Sequence, residues 1–160
     1  MIVSNASTLI LLAKVTVLRT FLENKRVSIP RIVEEEILVK KELFDAKLIQ
    51  KAIGDGLIKV KRTDTSTVGE ILLDFRMDVG EAATYVLWKK EGGVILADDR
   101  ELIKLCKIEG IEFLNALAVV VRLFEQKKLT KEAAIEKLKK LKFYGRYAQH
   151  VYEYYASQVI

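Results

Sequence analysis

Residues 78–110 run DVGEAATYVLWKKEGGVILADDRELIKLCKIEG, and this stretch decides the fold class. Asp78 opens a strong helix that closes at Gly92-Gly93, where glycine relieves a chain leaving a helix. Val94-Ile95-Leu96-Ala97 is wholly apolar, the composition of a strand covered on both faces of a parallel sheet. DRELIKLCKIEG then follows as an amphipathic helix stopped by Gly110. Helix, buried strand and helix in succession are the units of a parallel sheet clothed in helices.

The same alternation continues outward in both directions. Upstream, residues 1–4 form a short apolar strand, 7–15 a buried helix and 26–30 a second strand ending at Pro30, the only proline. Pro30 suits the first turn of a helix over 31–40, where a missing N–H costs nothing. A helix from about 42 to 53 stops at Gly54-Asp55-Gly56, and Leu57–Arg62 alternates apolar with basic, as an exposed or edge strand does. Residues 65–77 read as a helix. Downstream come a strand over 111–114 and helices from about 115 to 126, 131 to 141 and 146 to 157. The expectation is an α/β fold with a central, mostly parallel sheet of four to five strands and helices on both faces. It forms a single domain over 1–160, in which 126–160 is a C-terminal helical extension. Sites in such sheets lie beyond the carboxyl ends of the strands.

Composition narrows the function classes. Half of the chain is apolar and 31% is charged, a globular balance. No apolar run approaches the roughly 20 residues of a membrane-spanning helix. The opening MIVSNASTLILLAKV has no basic segment before its apolar stretch, so no signal peptide is expected. Cys106 is the only cysteine and sits in an apolar stripe, which agrees with a core thiol in a reducing cytoplasm. His150, the only histidine, has no Cys or His partner for zinc and no nucleophile for a triad. Neither a Gly-x-Gly-x-x-Gly turn nor a phosphate-binding P-loop occurs. The net charge of +5 is uneven: Arg122–Arg146 holds nine basic residues against three acidic ones, compatible with a polyanionic partner or with a solvated helix face. In the tail, Tyr144, Tyr147, Val151, Tyr154 and Tyr155 recur at helical spacing, as for a packed face or a dimer contact.

Acidic residues gather at the strand-to-helix junctions. Asn5, Ala6 and Ser7 follow the first strand, Glu34, Glu35 and Glu36 lie in the helix after Pro30, Glu81 begins the helix after Asp78, and Asp98 and Asp99 follow VILA. Carboxylates brought to one sheet edge repel one another unless a cation sits between them. Mg²⁺ and Mn²⁺ favour carboxylate oxygen and water, and can activate water against a phosphodiester. Each position also has a purely structural reading. Asp78-x-x-Glu81 has capping-box spacing, Asp99 can cap its helix, the Glu34–Glu36 run suits a helix first turn, and Asn5 and Ser7 suit a turn and cap. Joint placement, rather than any one residue, points to a site.

In register, these segments resemble the PIN-domain superfamily, and most closely its VapC-type toxin nucleases. The family pattern of a strand ending in Asp-x-Ser or Asp-x-Asn before an apolar helix is matched by Ile2–Ile10, IVSNASTLI. Pro30 to Ile37 matches a proline followed by Val-x-x-Glu, which selects Glu36. Gly80-Glu81-Ala82-Ala83 and VILADDR at 94–100 match two further motifs, so that the resemblance covers about residues 1–125. It implies a Mg²⁺- or Mn²⁺-dependent endoribonuclease, often the toxin of a toxin–antitoxin pair, with RNA and an antitoxin protein as partners and a homodimer as its assembly. Glu36, Glu81 and Asp99 would bind the metal directly or through water, Asp98 sharing that duty, while Ser7 orients a ligand or water. Arg100, Lys127, Lys128 and Arg146 would contact RNA. One departure stands out: Asn5 occupies the place of the family's first Asp, bringing neither charge nor base to the site. An impaired enzyme, or a PIN-like RNA- or protein-binding module that has lost catalysis, are the two outcomes this implies.

Overall fold

Strand β1 (Ile2–Ser4) occupies the centre of a sheet whose other members lie to either side of it in the order β3-β2-β1-β4-β5. The computed structural model describes residues 1–160. The other strands are β2 (Val27–Pro30), β3 (Ile58–Lys61), β4 (Val94–Leu96) and β5 (Phe113–Leu114), and every pairing is parallel. Ten α-helices connect and cover them: α1 (Ala6–Lys14), α2 (Leu18–Leu22), α3 (Arg31–Leu38), α4 (Phe44–Gly54), α5 (Thr65–Asp74), α6 (Val79–Glu91), α7 (Arg100–Glu109), α8 (Ala116–Glu125), α9 (Lys131–Gly145) and α10 (Gln149–Ala156). The α/β fold expected from the alternating pattern is present, with five strands and no antiparallel member.

Neighbouring residues of a strand face opposite sides of a sheet, and both sides here are apolar. Ile95 joins Tyr85, Leu102, Leu105 and Cys106 beneath α6 and α7. Leu96 joins the larger cluster on the other face, which takes in Leu9, Leu12, Phe21, Ile49 and Leu117. The C-terminal helices belong to that larger cluster as well. Ala134, Leu138, Leu141 and Val159 are buried in it, and Tyr147, Val151, Tyr152 and Tyr155 pack against it. Tyr144 and Tyr154 stay exposed, so the tyrosine face is divided between the protein's own core and solvent. No helix is long and apolar enough to cross a membrane.

Pro30 ends β2 as expected and is the N-cap of α3, in extended conformation (φ −64°, ψ 149°), with the helix beginning at Arg31. Its ring starts the helix, because it ends the strand at a position whose N–H the next turn does not need. Residues 18–22 form α2, a helix of five residues, too short for an apolar period to announce it.

The chain winds outward from β1 through β2 to β3, then returns to place β4 on β1's other side. The gap between β1 and β4 is therefore a topological switch point, where crevices open at the carboxyl edge of α/β sheets. Gly93 makes the return possible. Its φ of +88° is left-handed, the Met1 carbonyl occupies the place of a Cβ, and the next N–H, from Val94, donates to that carbonyl at 3.1 Å. Gly93→Ala is expected to destabilise the protein by about 2 kcal/mol or more in urea unfolding. Gly54→Ala, at an open helical position with nothing near its added methyl, is expected to be neutral or to stabilise by up to about 1 kcal/mol.

Candidate functional site

The β1–β4 register aligns Ser4 with Leu96, and the Asn5 N–H donates to the Leu96 carbonyl at 3.2 Å. This pairing brings the residue after β1 beside the residues that follow β4, namely Asp98 and Asp99. The two aspartates diverge, as alternation along an extended chain requires. The Asp99 carboxylate accepts from the Asn5 side-chain amide and, at 2.8 Å, from the Ser7 hydroxyl. It stands at the N-cap position of α7 but makes no capping bond, so the purely structural reading of Asp99 does not hold. Asn5 serves two elements: its side-chain oxygen caps α1 by accepting from the Ala6 N–H at 2.7 Å, and its amide nitrogen donates to Asp99.

Across the crevice, α3 and α6 supply three more carboxylates. Asp78 caps α6, accepting from the Glu81 N–H at 2.8 Å, and the buried Glu81 reaches back to the backbone and carboxyl of Asp78. The capping box read from the sequence is thus real, and it lies at the carboxyl edge with its acidic groups turned to the crevice. Glu36 is an exposed residue, but its carboxylate rests against Gly80, whose N–H bonds to it. A Cβ at position 80 would collide with Glu36 Oε1, so glycine there makes room for the acid. Glu34 and Glu35 of the same run do not take part; Glu34 sits in the first turn, where acids suit the helix dipole.

The electrostatics mark this as one site. Burial first, and then the charges of Asp78 and Asp99, push Glu36 up to about 7 and Glu81 up to about 8. Asp99 is raised by burial, with Asp78 adding to the effect and the Ser7 hydroxyl opposing it. None of Glu36, Asp78, Glu81 or Asp99 forms an ion pair with a lysine or arginine. An all-oxygen, negatively charged set with no internal counter-charge suits a hard divalent cation. No three acidic side chains close into a cage around one point, however. The geometry fits an ion that takes few carboxylates and keeps water in its remaining positions, as Mg²⁺ commonly does.

Two expectations need correction. Asp98 does not share the crevice. Its carboxylate accepts from the Thr8 hydroxyl at 2.7 Å, the Ala116 N–H at 3.1 Å and the Tyr147 hydroxyl, leaving little capacity for a metal. Burial lifts Asp98 to about 6 against the pull of these donors, and burial together with Asp98 pushes the Tyr147 hydroxyl far above the usual phenol range. Lys127 and Lys128 lie at the opposite edge of the sheet. Helix α8 starts at the carboxyl end of β5 and runs back, and Lys128 ends beside Lys25, just before β2, whose charge it disfavours after burial itself. Arg100 and Arg146 are exposed on the crevice side, one opening α7 and the other next to Tyr147.

Asp78 is the residue that sequence reading passed over as a mere cap. Its position at the start of a helix that begins at the carboxyl edge was the available signal, because a residue capping such a helix faces the same crevice as the strand ends. No curated protein and no solved structure matches the chain significantly. A family model described as a PIN domain, DUF3368, matches residues 1–159. With that match spanning nearly the whole chain, and an all-parallel sheet carrying an acidic crevice at its switch point, the chain belongs to the DUF3368 family of PIN domains.

Proposed function

We propose that this PIN domain is a metal-dependent endoribonuclease whose reaction centre is the crevice between β1 and β4. The observation that carries the reading is the uncompensated acidic set, Glu36, Asp78, Glu81 and Asp99, with no basic side chain paired to it; burial and neighbouring charge raise Glu36, Glu81 and Asp99. PIN domains generally use divalent metal ions. A bound Mg²⁺ or Mn²⁺ would supply activation of water and neutralisation of charge on the phosphodiester. Glu36, Glu81 and Asp99 would hold it directly or through water, with Asp78 supporting Glu81. Ser7 keeps the Asp99 carboxylate oriented by donating to one of its oxygens. Arg100 and Arg146 offer exposed charge to RNA phosphates from the same edge. The toxin role, with an antitoxin as protein partner and a homodimer as assembly, carries over from the resemblance to VapC-type nucleases.

The Asn5–Asp99 hydrogen bond supports a second reading. A neutral amide that satisfies Asp99 replaces the charge a metal would otherwise balance, which suits a PIN-like RNA- or protein-binding module without catalysis. Cleavage of mixed single-stranded RNA with and without Mn²⁺ separates the two. The nuclease reading expects Mn²⁺-dependent products and a fall on the order of 100-fold in Asp99→Asn, the scale for losing one preorganised charged group. RNA binding with no metal-dependent product favours the module.

Asn5→Asp places a like charge against Asp99 and removes the donor between them. It is expected to lower the melting temperature of the metal-free protein and to enlarge the increase that Mn²⁺ produces. Calorimetry with and without Mn²⁺ measures both; an unchanged Mn²⁺ response would remove Asn5 from the metal's vicinity.

A pH dependence follows from the raised carboxyls. Glu36 and Glu81 keep their protons to about 7 and about 8 in the folded chain, against 4.5 for an ordinary glutamate, so between these values the folded state binds more protons than the unfolded one. Stability of the metal-free protein is then expected to fall as pH rises through that window. Glu81→Gln should flatten the upper part of the fall, and thermal unfolding from acid to mildly alkaline pH checks it.

A further inference from the structure

Three separate elements hold the Asp98 carboxylate. Thr8 comes from α1, Ala116 from the start of α8, and Tyr147 from the link between α9 and α10. A carboxylate bound from three directions cannot rotate freely, and neither can the backbone that carries it. Asp99 is the next residue, so the direction of its carboxylate depends on a peptide that the Asp98 bonds pin. Of the three donors, Thr8 and Ala116 belong to elements that lead directly out of strands β1 and β5. Tyr147 is different, because the chain bends sharply to deliver it.

That bend is built into the backbone. Arg146 takes a left-handed conformation (φ 52°), unfavourable for a residue with a Cβ. Gly145 lies against the Tyr147 ring so closely that a Cβ there would overlap it. Strained positions persist where surrounding contacts outweigh their cost. Here those contacts are the packing of the Tyr147 ring against the main core and the hydrogen bond from its hydroxyl to Asp98.

We propose that Tyr147 is a positioning residue for the reaction centre: by holding the Asp98 carboxylate, it fixes the turn from which Asp99 presents its own carboxylate to the metal and water. The inference rests on the nuclease reading above. It assigns the C-terminal extension a part in the chemistry, through the single hydroxyl of Tyr147. The Tyr147 hydroxyl bonds to Asp98 and to none of the crevice acids, so its removal should act on the metal and on turnover rather than on RNA capture.

The full-length Tyr147→Phe variant tests this, because it keeps the ring that packs and removes only the hydroxyl. Three quantities are measured: Mn²⁺ affinity by the electron paramagnetic resonance of free Mn²⁺, kcat and KM on single-stranded RNA, and melting temperature. Mn²⁺ affinity and kcat are expected to drop about tenfold, the lower end for outer groups that orient metal ligands, with KM for RNA within about twofold of wild type. Asp98→Asn should reproduce the loss, and adding Tyr147→Phe to it should cost little more, because the hydroxyl acts through Asp98. Val159→Ala is the stability control: it loosens a fully buried tail residue remote in sequence from the bend and should lower the melting temperature while leaving Mn²⁺ affinity unchanged. The positioning role is overturned if Tyr147→Phe matches an active wild type in Mn²⁺ affinity and kcat. It is equally overturned if the effects of Tyr147→Phe and Asp98→Asn simply add, or if Val159→Ala weakens Mn²⁺ binding as much. A wild-type protein that neither binds Mn²⁺ nor cuts RNA would instead defeat the nuclease reading, and this inference with it.

Discussion

Two strands of three residues, β1 and β4, lie side by side in parallel with Ser4 opposite Leu96, and the acidic crevice depends on that alignment. A shift of one residue would turn every side chain to the other face. Asn5 would then meet Asp98 rather than Asp99, and the apolar pair Ile95 and Leu96 would exchange cores. The register is held where the cost of slipping is highest, by apolar residues buried on both faces and by the Gly93 turn locked against Met1. The polar residues exploit a geometry that the apolar ones determine.

The crevice concentrates negative charge without compensating it. Elsewhere the protein pairs its acids in the ordinary way, as in Arg19 with Asp55, Lys61 with Glu91 and Lys140 with Glu136. At the carboxyl edge, α3 and the start of α6 contribute acids that face each other across Gly80, and the only relief comes from hydroxyl, amide and backbone donors. Stability is given up there locally, which is common where binding or chemistry occurs. Asn5 moderates the arrangement. Its amide serves Asp99 and its oxygen serves the helix, so one neutral side chain satisfies two demands that a carboxylate would set in conflict.

The sheet could be read from sequence because its strands are short apolar runs separated by helices with recognisable starts and stops. VILA between Gly93 and Asp98 is the clearest, and LIKVKR correctly indicated an edge. Helix α2 escaped because five residues carry no period. Around the crevice, Asn5, Ser7 and Glu81 stand out by their place at strand-to-helix junctions, while Glu36 and Asp99 are singled out by the resemblance. Asp78 is not, since capping accounts for it fully until the third dimension places α6 against α3. Asp98 and Asp99 are indistinguishable as letters; the partner that occupies Asp98, Tyr147, lies 49 residues away. Lys127 and Lys128 failed for a related reason. Composition reports that a helix is basic, whereas only the direction of α8 says which end of the sheet receives the charge.

The two borders of the sheet are unlike each other, and together they limit how copies of this protein can meet. β3 is one border, with Lys59 exposed and Lys61 and Arg62 following. β5 is the other, and is only two residues long. A strand from a second molecule would face the exposed cations Lys59 and Arg62 at the first border and too short a ladder at the second. Neither border therefore favours extension of the sheet across molecules, which leaves the helical faces as the larger surface open to contact.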